Sequence, residues 1–298
     1  MPLEVVASMP SVTAQDLGFE TLVFKSIDSV CAMAQPYLFQ KCDVNSMTPE
    51  SSFEHGKTVG VNQPYYFPYA GFFGLIENCQ VFVVYDDAKY TKRGWINRNR
   101  IMAHGSVQTI SLPLKRSSDF ATISEKVIAE TYDPDHHFRI LRGAYSHCAH
   151  WPTLKEALPD WLDTSTDNLF EYLLATLRKV SDLLEINTDF VRSSAIDPAK
   201  SASGVSRLRN ILRATSATNY LNLPGGRALY SSENFADIGV RLGFVDTADE
   251  PYEQSAAGKP STRAGFEPRL SILDLLANLG PEGTKQYLRN NTKLWWAS

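Results

Sequence analysis

Residues Val59–Ile101 read VGVNQPYYFPYAGFFGLIENCQVFVVYDDAKYTKRGWINRNRI, and the order of elements in them decides the fold. Val59-Gly60-Val61 is a short β-prone run. Gln63-Pro64-Tyr65-Tyr66-Phe67-Pro68-Tyr69 is a turn of prolines and aromatics. The spacing of Phe72, Leu75 and Ile76 predicts a helix over Gly71–Asn78. Val81-Phe82-Val83-Val84-Tyr85 is an unbroken apolar run of the length of a buried parallel strand. It ends in two carboxylates, Asp86 and Asp87, and then in a cationic, amide-rich segment from Lys89 to Arg100. Strand, loop, helix, strand and polar loop in that order predict an α/β fold: a mostly parallel, Rossmann-like sheet flanked by helices. In such sheets ligands bind beyond the carboxyl ends of the strands, so both loops are expected to face one cleft.

The cationic segment reads as more than a solvated face. Trp95 sits among cations, and Asn97 and Asn99 alternate with Arg98 and Arg100. The chain as a whole is mildly acidic, with a formal net charge of -4 over 298 residues. That balance argues against a dedicated nonspecific nucleic-acid binder, which needs a basic face. The four cysteines form no C-x-x-C pair and imply no disulfide framework. Met1-Pro2-Leu3-Glu4 carry no basic n-region and no apolar run reaches membrane length, so a cytoplasmic location is expected.

Residues 1–57 read as a poorly defined N-terminal extension and linker, and 58–298 as the α/β domain with a helical C-terminal half. The echo of Gln63–Phe67 in Gln35-Pro36-Tyr37-Leu38-Phe39 has no flanking similarity and is taken as chance. Val107–Leu114 alternates like a strand, and Ile123–Ile128 is a further strand candidate. Lys115-Arg116-Ser117-Ser118 reads equally as a phosphate-holding loop or a polar surface turn. Helices are predicted at Phe138–Tyr145 and Leu154–Leu162. A third, at Asn168–Leu184, has Thr166 or Asp167 as its N-cap. His136, His137, His147 and His150 lack a zinc-ligand pattern, so no metal site is expected and partly exposed histidines at a helix start are.

Ser201–Leu208 leads into a helix at Leu208–Thr215. Serines, a glycine and Arg207 at its start suit either an anion or a simple cap. Tyr220-Leu221-Asn222 reads as a strand entering the turn Pro224-Gly225-Gly226-Arg227. A short helix is expected over Phe235–Leu242 and a strand over Leu242–Val245. Ser271 and Asp274 have capping-box spacing at the start of a further helix.

These residues carry a resemblance. Gln63–Phe73, Tyr85-Asp86-Asp87 and Lys92–Asn99 are similar to the signature of the WbqC-like protein family. So are the Asn222, Gly225-Gly226 and Tyr230 pattern, Tyr252-x-Gln254 and Leu270-Ser271-Ile272-Leu273-Asp274. The match spans Val59 to Gly280. The family often has an acidic residue just before Arg207, where this chain has Ser206. The resemblance implies a setting in surface-polysaccharide (O-antigen) synthesis and the addition of an acyl or aminoacyl group, such as glycyl, to an amino sugar.

The chemistry of the residues agrees. No nucleophile motif, Walker A loop or Gly-x-Gly-x-x-Gly turn is present, which favours direct transfer in a ternary complex. Asp87 or Asp86 is the expected general base. Lys92, Arg98 and Arg207 are expected to hold a phosphate-bearing substrate, and Trp95, Tyr66 and Tyr69 to stack on a base or sugar. Asn97, Asn222 and Gln254 are expected to read hydroxyls or amides, and Gln63, Gly225, Gly226, Tyr230 and Asp274 to complete the site. No tightly bound cofactor is expected. The donor is acyl-CoA or an aminoacyl-tRNA, whose acceptor end would meet Lys89–Arg100, and the acceptor is a nucleotide-linked amino sugar or similar small amine. Two rivals stand beside this reading: a nucleotidyltransferase-like enzyme lacking the His-x-x-His motif, and a non-catalytic carbohydrate- or nucleotide-binding module.

Overall fold

Strand β1 (Thr58–Asn62) lies at the centre of a six-stranded sheet. The computed structural model describes residues 56–197, 202–254 and 266–298. Readings made on residues 1–55 and on Ser201 fall outside them. Helix α1 (Ala70–Glu77) returns the chain to β2 (Val81–Val84), which pairs parallel to β1. A hairpin of β3 (Arg98–Ala103) and β4 (Ser106–Ser111) follows, separate from the main sheet. Helices α2 (Pro134–Tyr145), α3 (Trp151–Leu162) and α4 (Leu169–Leu183) lead to β5 (Asp189–Arg192), which pairs parallel to β2. After α5 (Ser193–Ile196) and α6 (Gly204–Ala214), β6 (Asn219–Asn222) pairs with the other side of β1, and β7 (Arg241–Thr247) with β6. Helix α7 (Ile272–Asn291) precedes β8 (Thr292–Trp296), which closes the edge antiparallel to β7.

The spatial order is therefore β5-β2-β1-β6-β7-β8. Its parallel strands progress outward from β1 first to one side and then to the other. This is the order of doubly wound nucleotide-binding folds, with the topological switch point between β1 and β6. The two faces bury separate apolar clusters because side chains alternate along a strand. Phe82 and Val84 join α1, α2, α3, α4 and α7 on one face, and Val81 and Val83 join α6 on the other. Gly60 permits the packing of the first face, since a Cβ there would stand 2.7 Å from Cys79 Sγ and 2.9 Å from the Phe82 ring.

Several local expectations are corrected. Ile123–Ile128 is not a strand but a 3-10 turn at Ile123–Glu125 followed by isolated bridges. Thr122 and Glu125 close that turn as a capping box, which competes with extension. Asn168, not Thr166 or Asp167, caps α4, its side chain accepting from the Glu171 amide at 3.2 Å. Phe235–Leu242 forms 3-10 turns and the start of β7 rather than a helix, because Gly239 turns left-handed at φ 68°. His137 is buried and bonded to the Asp133 and Ser111 carbonyls, whereas His136, His147 and His150 are exposed as expected. Among the described residues no group of His, Cys, Asp and Glu is arranged to hold a metal. No helix among them is long and apolar enough to cross a membrane.

Candidate functional site

The register of β2 and β5 builds a buried polar centre. Val84 pairs with Arg192, so two residues further along Asp86 stands opposite Ser194. Ser194 donates to Asp86 twice, through its amide at 3.0 Å and its hydroxyl at 2.5 Å. The Ser193 hydroxyl lies 2.8 Å from Asp86 Oδ1 and 2.7 Å from Asp87 Oδ1. One hydroxyl carries one proton, so it serves one carboxylate at a time. Arg207, reaching over from α6, places Nη2 at 2.6 and 2.5 Å from the two Asp87 oxygens. Its guanidinium also lies over the Tyr85 ring, at 5.4 Å from the centroid.

Burial alone would push the Asp86 carboxyl up. The hydrogen bonds from Ser194 and Ser193 outweigh it and hold the group below its ordinary value. Asp86 is therefore an ionised carboxylate, 5 % exposed, at the carboxyl edge of the sheet. Ser193 and Ser194 carry no sequence motif. Only the pairing of β2 with β5 reveals them.

The loop after β1 is pinned by the hairpin. Asn99 Nδ2 donates to the carbonyls of Tyr66 at 3.0 Å and Phe67 at 2.7 Å, and the Ser271 hydroxyl donates to Phe67 at 2.8 Å. Tyr66 is fully buried, packed on Phe67 and Tyr172. It belongs to the core, and the stacking role expected for it has no exposed ring face to act through. Asn97 is committed in the same way, accepting from the Tyr90 hydroxyl and donating to the Leu112 carbonyl. Tyr69 is half-buried beside Tyr252, Arg269 and Tyr287. Gln63 is half-buried just after β1, and its backbone amide donates to Asn62 Oδ1 at 2.8 Å.

Trp95 has the Arg98 and Arg100 guanidinium groups at 5.5 and 6.0 Å from its ring centroid. Arg98 is spent on the carbonyls of Gly94 and Arg93, and Lys92 on an exposed pair with Asp119 at 2.6 Å.

At the switch point Asn222 ends β6 as Asn62 ends β1, and each accepts from the next backbone amide at 2.8 Å. Gly226 lies directly against the Asn222 side chain, whereas Gly225 faces open space. Tyr230 is buried against Tyr220 and Phe235. A further cluster lies at the start of α7. Gln254 clasps the backbone of Glu267 with both ends of its amide, at 2.8 and 2.9 Å. The Tyr252 hydroxyl donates to Asp274 at 2.7 Å. Burial pushes Asp274 up to about 6, against the hydrogen bonds of Tyr252, Tyr145 and Gln254.

The selected residues thus fall into separate groups. Asp86, Asp87 and Arg207 form one centre. Lys92, Trp95 and Arg98 lie on the hairpin side, and Asn222, Gly225 and Gly226 at the switch point. Tyr66, Tyr230, Gln254 and Asp274 are buried supports. A surface depression of about 720 Å³ lies elsewhere, between Lys57, Arg178 and Asp189 at the amino ends of the strands. None of the selected residues lines it.

The model of the WbqC-like protein family matches residues 63–286 of this chain. The chain belongs to the WbqC-like protein family. The match begins at Gln63, the first residue after β1, and runs through the Asp86–Asp87 centre, the switch-point turn and most of α7. WbqC-like proteins are linked to polysaccharide biosynthesis. The chain is also similar to the uncharacterized protein Rv1507c of Mycobacterium tuberculosis (strain ATCC 25618 / H37Rv). The two are 33% identical over 236 residues, which is 78% of this chain and 98% of the relative. No solved structure gives a significant match.

Proposed function

We propose that the Asp86–Asp87 centre is the transfer site of an N-acyl or aminoacyl transferase. It would add an acyl or glycyl-type group to the amine of a nucleotide-linked amino sugar or similar small amine, in surface-polysaccharide (O-antigen) synthesis. The observation that carries this reading is Asp86, a carboxylate held ionised by Ser193 and Ser194 at the carboxyl edge of the sheet. The substrate amine donates a hydrogen bond to Asp86 and attacks the carbonyl carbon of an acyl thioester or aminoacyl ester. A C–N bond forms and the C–S or C–O bond breaks. The amine proton becomes acidic as the nitrogen gains positive charge, passes to Asp86, and leaves with the departing sulfur or oxygen. Asp87 and Arg207 orient the centre. Acyl-CoA or aminoacyl-tRNA acts as a co-substrate in the cytoplasm, with no resident cofactor.

A second reading is favoured by the strand order. A switch point between Asn62 and Asn222 is where doubly wound folds take nucleotides, which suits a nucleotidyltransferase-like enzyme or a nucleotide-binding module. A mass-spectrometric assay separates the readings. Nucleotide-linked amino sugars are offered with acyl-CoA donors or charged glycyl- and seryl-tRNA, beside Asp86→Asn and Asp87→Asn. A mass gain on the sugar amine that Asp86→Asn abolishes supports transfer. No gain with any pair, from folded protein, turns the assignment to the nucleotide readings.

A further inference from the structure

Lys126 is a lysine 5 % exposed. A desolvated ammonium is costly to keep unless it is paired. Its Nζ donates to the Ser117 hydroxyl at 2.5 Å and lies 4.7 Å from the centre of the Tyr90 ring. Among the described residues no carboxylate forms an ion pair with it. The nearby acid, Asp119, is committed to Lys92, and both of those side chains are 70 % exposed. An ammonium has three N–H groups, and only one is spent on Ser117. Ser117 lies on an exposed loop and, having accepted from Lys126, keeps its own O–H to donate outward.

The surroundings are cationic as well. From Ala88 to Ser118 the sequence contains no Asp or Glu, although the whole chain carries -4. Exposed Lys89 lies over the Phe120 ring at 4.8 Å and is bridged to Thr122. The strap carrying Lys126 runs along the candidate centre. Ser124 N–H donates to the Asp86 carbonyl at 2.8 Å, Ile123 N–H to Ala88 at 2.9 Å, and Tyr90 N–H to Ala121 at 3.0 Å.

We propose that Lys126, Ser117 and Lys89 form a seat for the phosphate or diphosphate of an activated small substrate, beside the Asp86–Asp87 loop. Only the identity of that substrate as the transfer acceptor rests on the function proposed above. The seat replaces Arg98 and Arg207 as the phosphate contact, since both guanidinium groups are already spent on backbone carbonyls and Asp87. A single buried cation at its base suits a terminal phosphate. A polynucleotide needs a row of free exposed cations, and here Lys92 and Lys115 are paired with Asp119 and Glu130.

The test is calorimetric titration of the full chain with sodium pyrophosphate and, separately, with uridine diphosphate and with tRNA. The wild type is expected to bind the first two saturably. Lys126→Gln is expected to bind about tenfold to a hundredfold more weakly. Ser117→Ala and Lys89→Gln, on exposed positions, are expected to weaken binding by about threefold to tenfold, and they decide the matter if Lys126→Gln does not fold. Lys155→Gln, on the outer face of α3, is expected to change nothing. No saturable binding by the wild type, or equal binding by the folded variants, overturns the seat. So does binding of tRNA without pyrophosphate, which points to a polynucleotide surface. Pyrophosphate binding without transfer activity leaves the seat standing and counts against the transferase reading alone.

Discussion

Asp87 and Arg207 are 120 positions apart in sequence, and Arg207 Nη2 stands 2.5 Å from an Asp87 oxygen with both side chains withdrawn from water. The contact ties the loop after β2 to α6. Breaking a buried ion pair from one side leaves the other charge uncompensated, at a cost of about 3–5 kcal/mol. Asp87→Ala and Arg207→Ala are each expected to lose stability of that order in urea unfolding. The double variant is expected to lose much less than their sum. Additive losses would show that the two groups do not stabilise each other. The same coupling makes Asp86→Asn, which keeps the pair intact, the cleaner probe of chemistry.

Asn99 is expected to matter as much as any charged residue. Phe67 holds a left-handed φ of 42°, a conformation that side chains other than glycine adopt at a cost. Asn99 and Ser271 both donate to its carbonyl. Asn99→Ala leaves two buried carbonyls short of a donor, for about 2–3 kcal/mol. Ser271→Ala removes one donor to Phe67 and also the N-cap of α7, where the Ser271 hydroxyl accepts from the Leu273 amide at 3.3 Å, and is expected to cost a similar amount. The measurement is urea unfolding of both variants. A loss below about 0.5 kcal/mol for Asn99→Ala would contradict its assigned role.

The elements legible in the sequence were those set by local pattern. Phe72, Leu75 and Ile76 announce α1, and the unbroken run Val81–Val84 announces a strand buried on both faces. What stayed hidden depends on long-range pairing. Nothing near Ser193 or Ser194 marks them as partners of Asp86, because the β2–β5 register alone brings them there. Nothing local marks Lys126 either, because a lone lysine in a mixed segment looks solvated until the fold covers it. Trp295 and Trp296 lie in β8 on the edge of the sheet and stay exposed, with Arg241 at 4.4 Å from the Trp296 ring centroid and Arg227 at 5.3 Å from that of Trp295.

Gly225 and Gly226 are adjacent and are expected to answer differently to the same substitution. A Cβ at Gly225 meets nothing within 4 Å, whereas at Gly226 it would stand 2.3 Å from Asn222 Nδ2. Gly225→Ala is expected to be neutral within about 0.5 kcal/mol. Gly226→Ala must displace Asn222 from the switch point, and is expected to cost about 1–3 kcal/mol. It should also weaken any nucleotide bound between β1 and β6. Thermal unfolding of the two variants, with nucleotide titration of each, compares them directly. Equal behaviour would mean that Asn222 moves freely and is not held for a purpose.

Asp274 gives the fold a pH dependence of definite sign. Its carboxyl is pushed up to about 6 by burial, while in the unfolded chain it titrates near the ordinary value of 3.8. Between those values the folded state holds the proton more tightly than the unfolded one. Stability from this group therefore falls as pH rises from about 4 through 6, and the buried charge is fully felt above that. A shift of this size corresponds to roughly 3 kcal/mol. Asp274→Asn cannot ionise, and its amide oxygen can still accept from Tyr252. The variant is expected to lack this slope, so its stability relative to the wild type rises by that order from pH 4 to pH 7.5. Taking the difference between the two proteins at each pH cancels the other titrating groups. A difference that stays flat across this range would mean that Asp274 is ionised in the folded protein throughout, and that Tyr252, Tyr145 and Gln254 offset its burial in full.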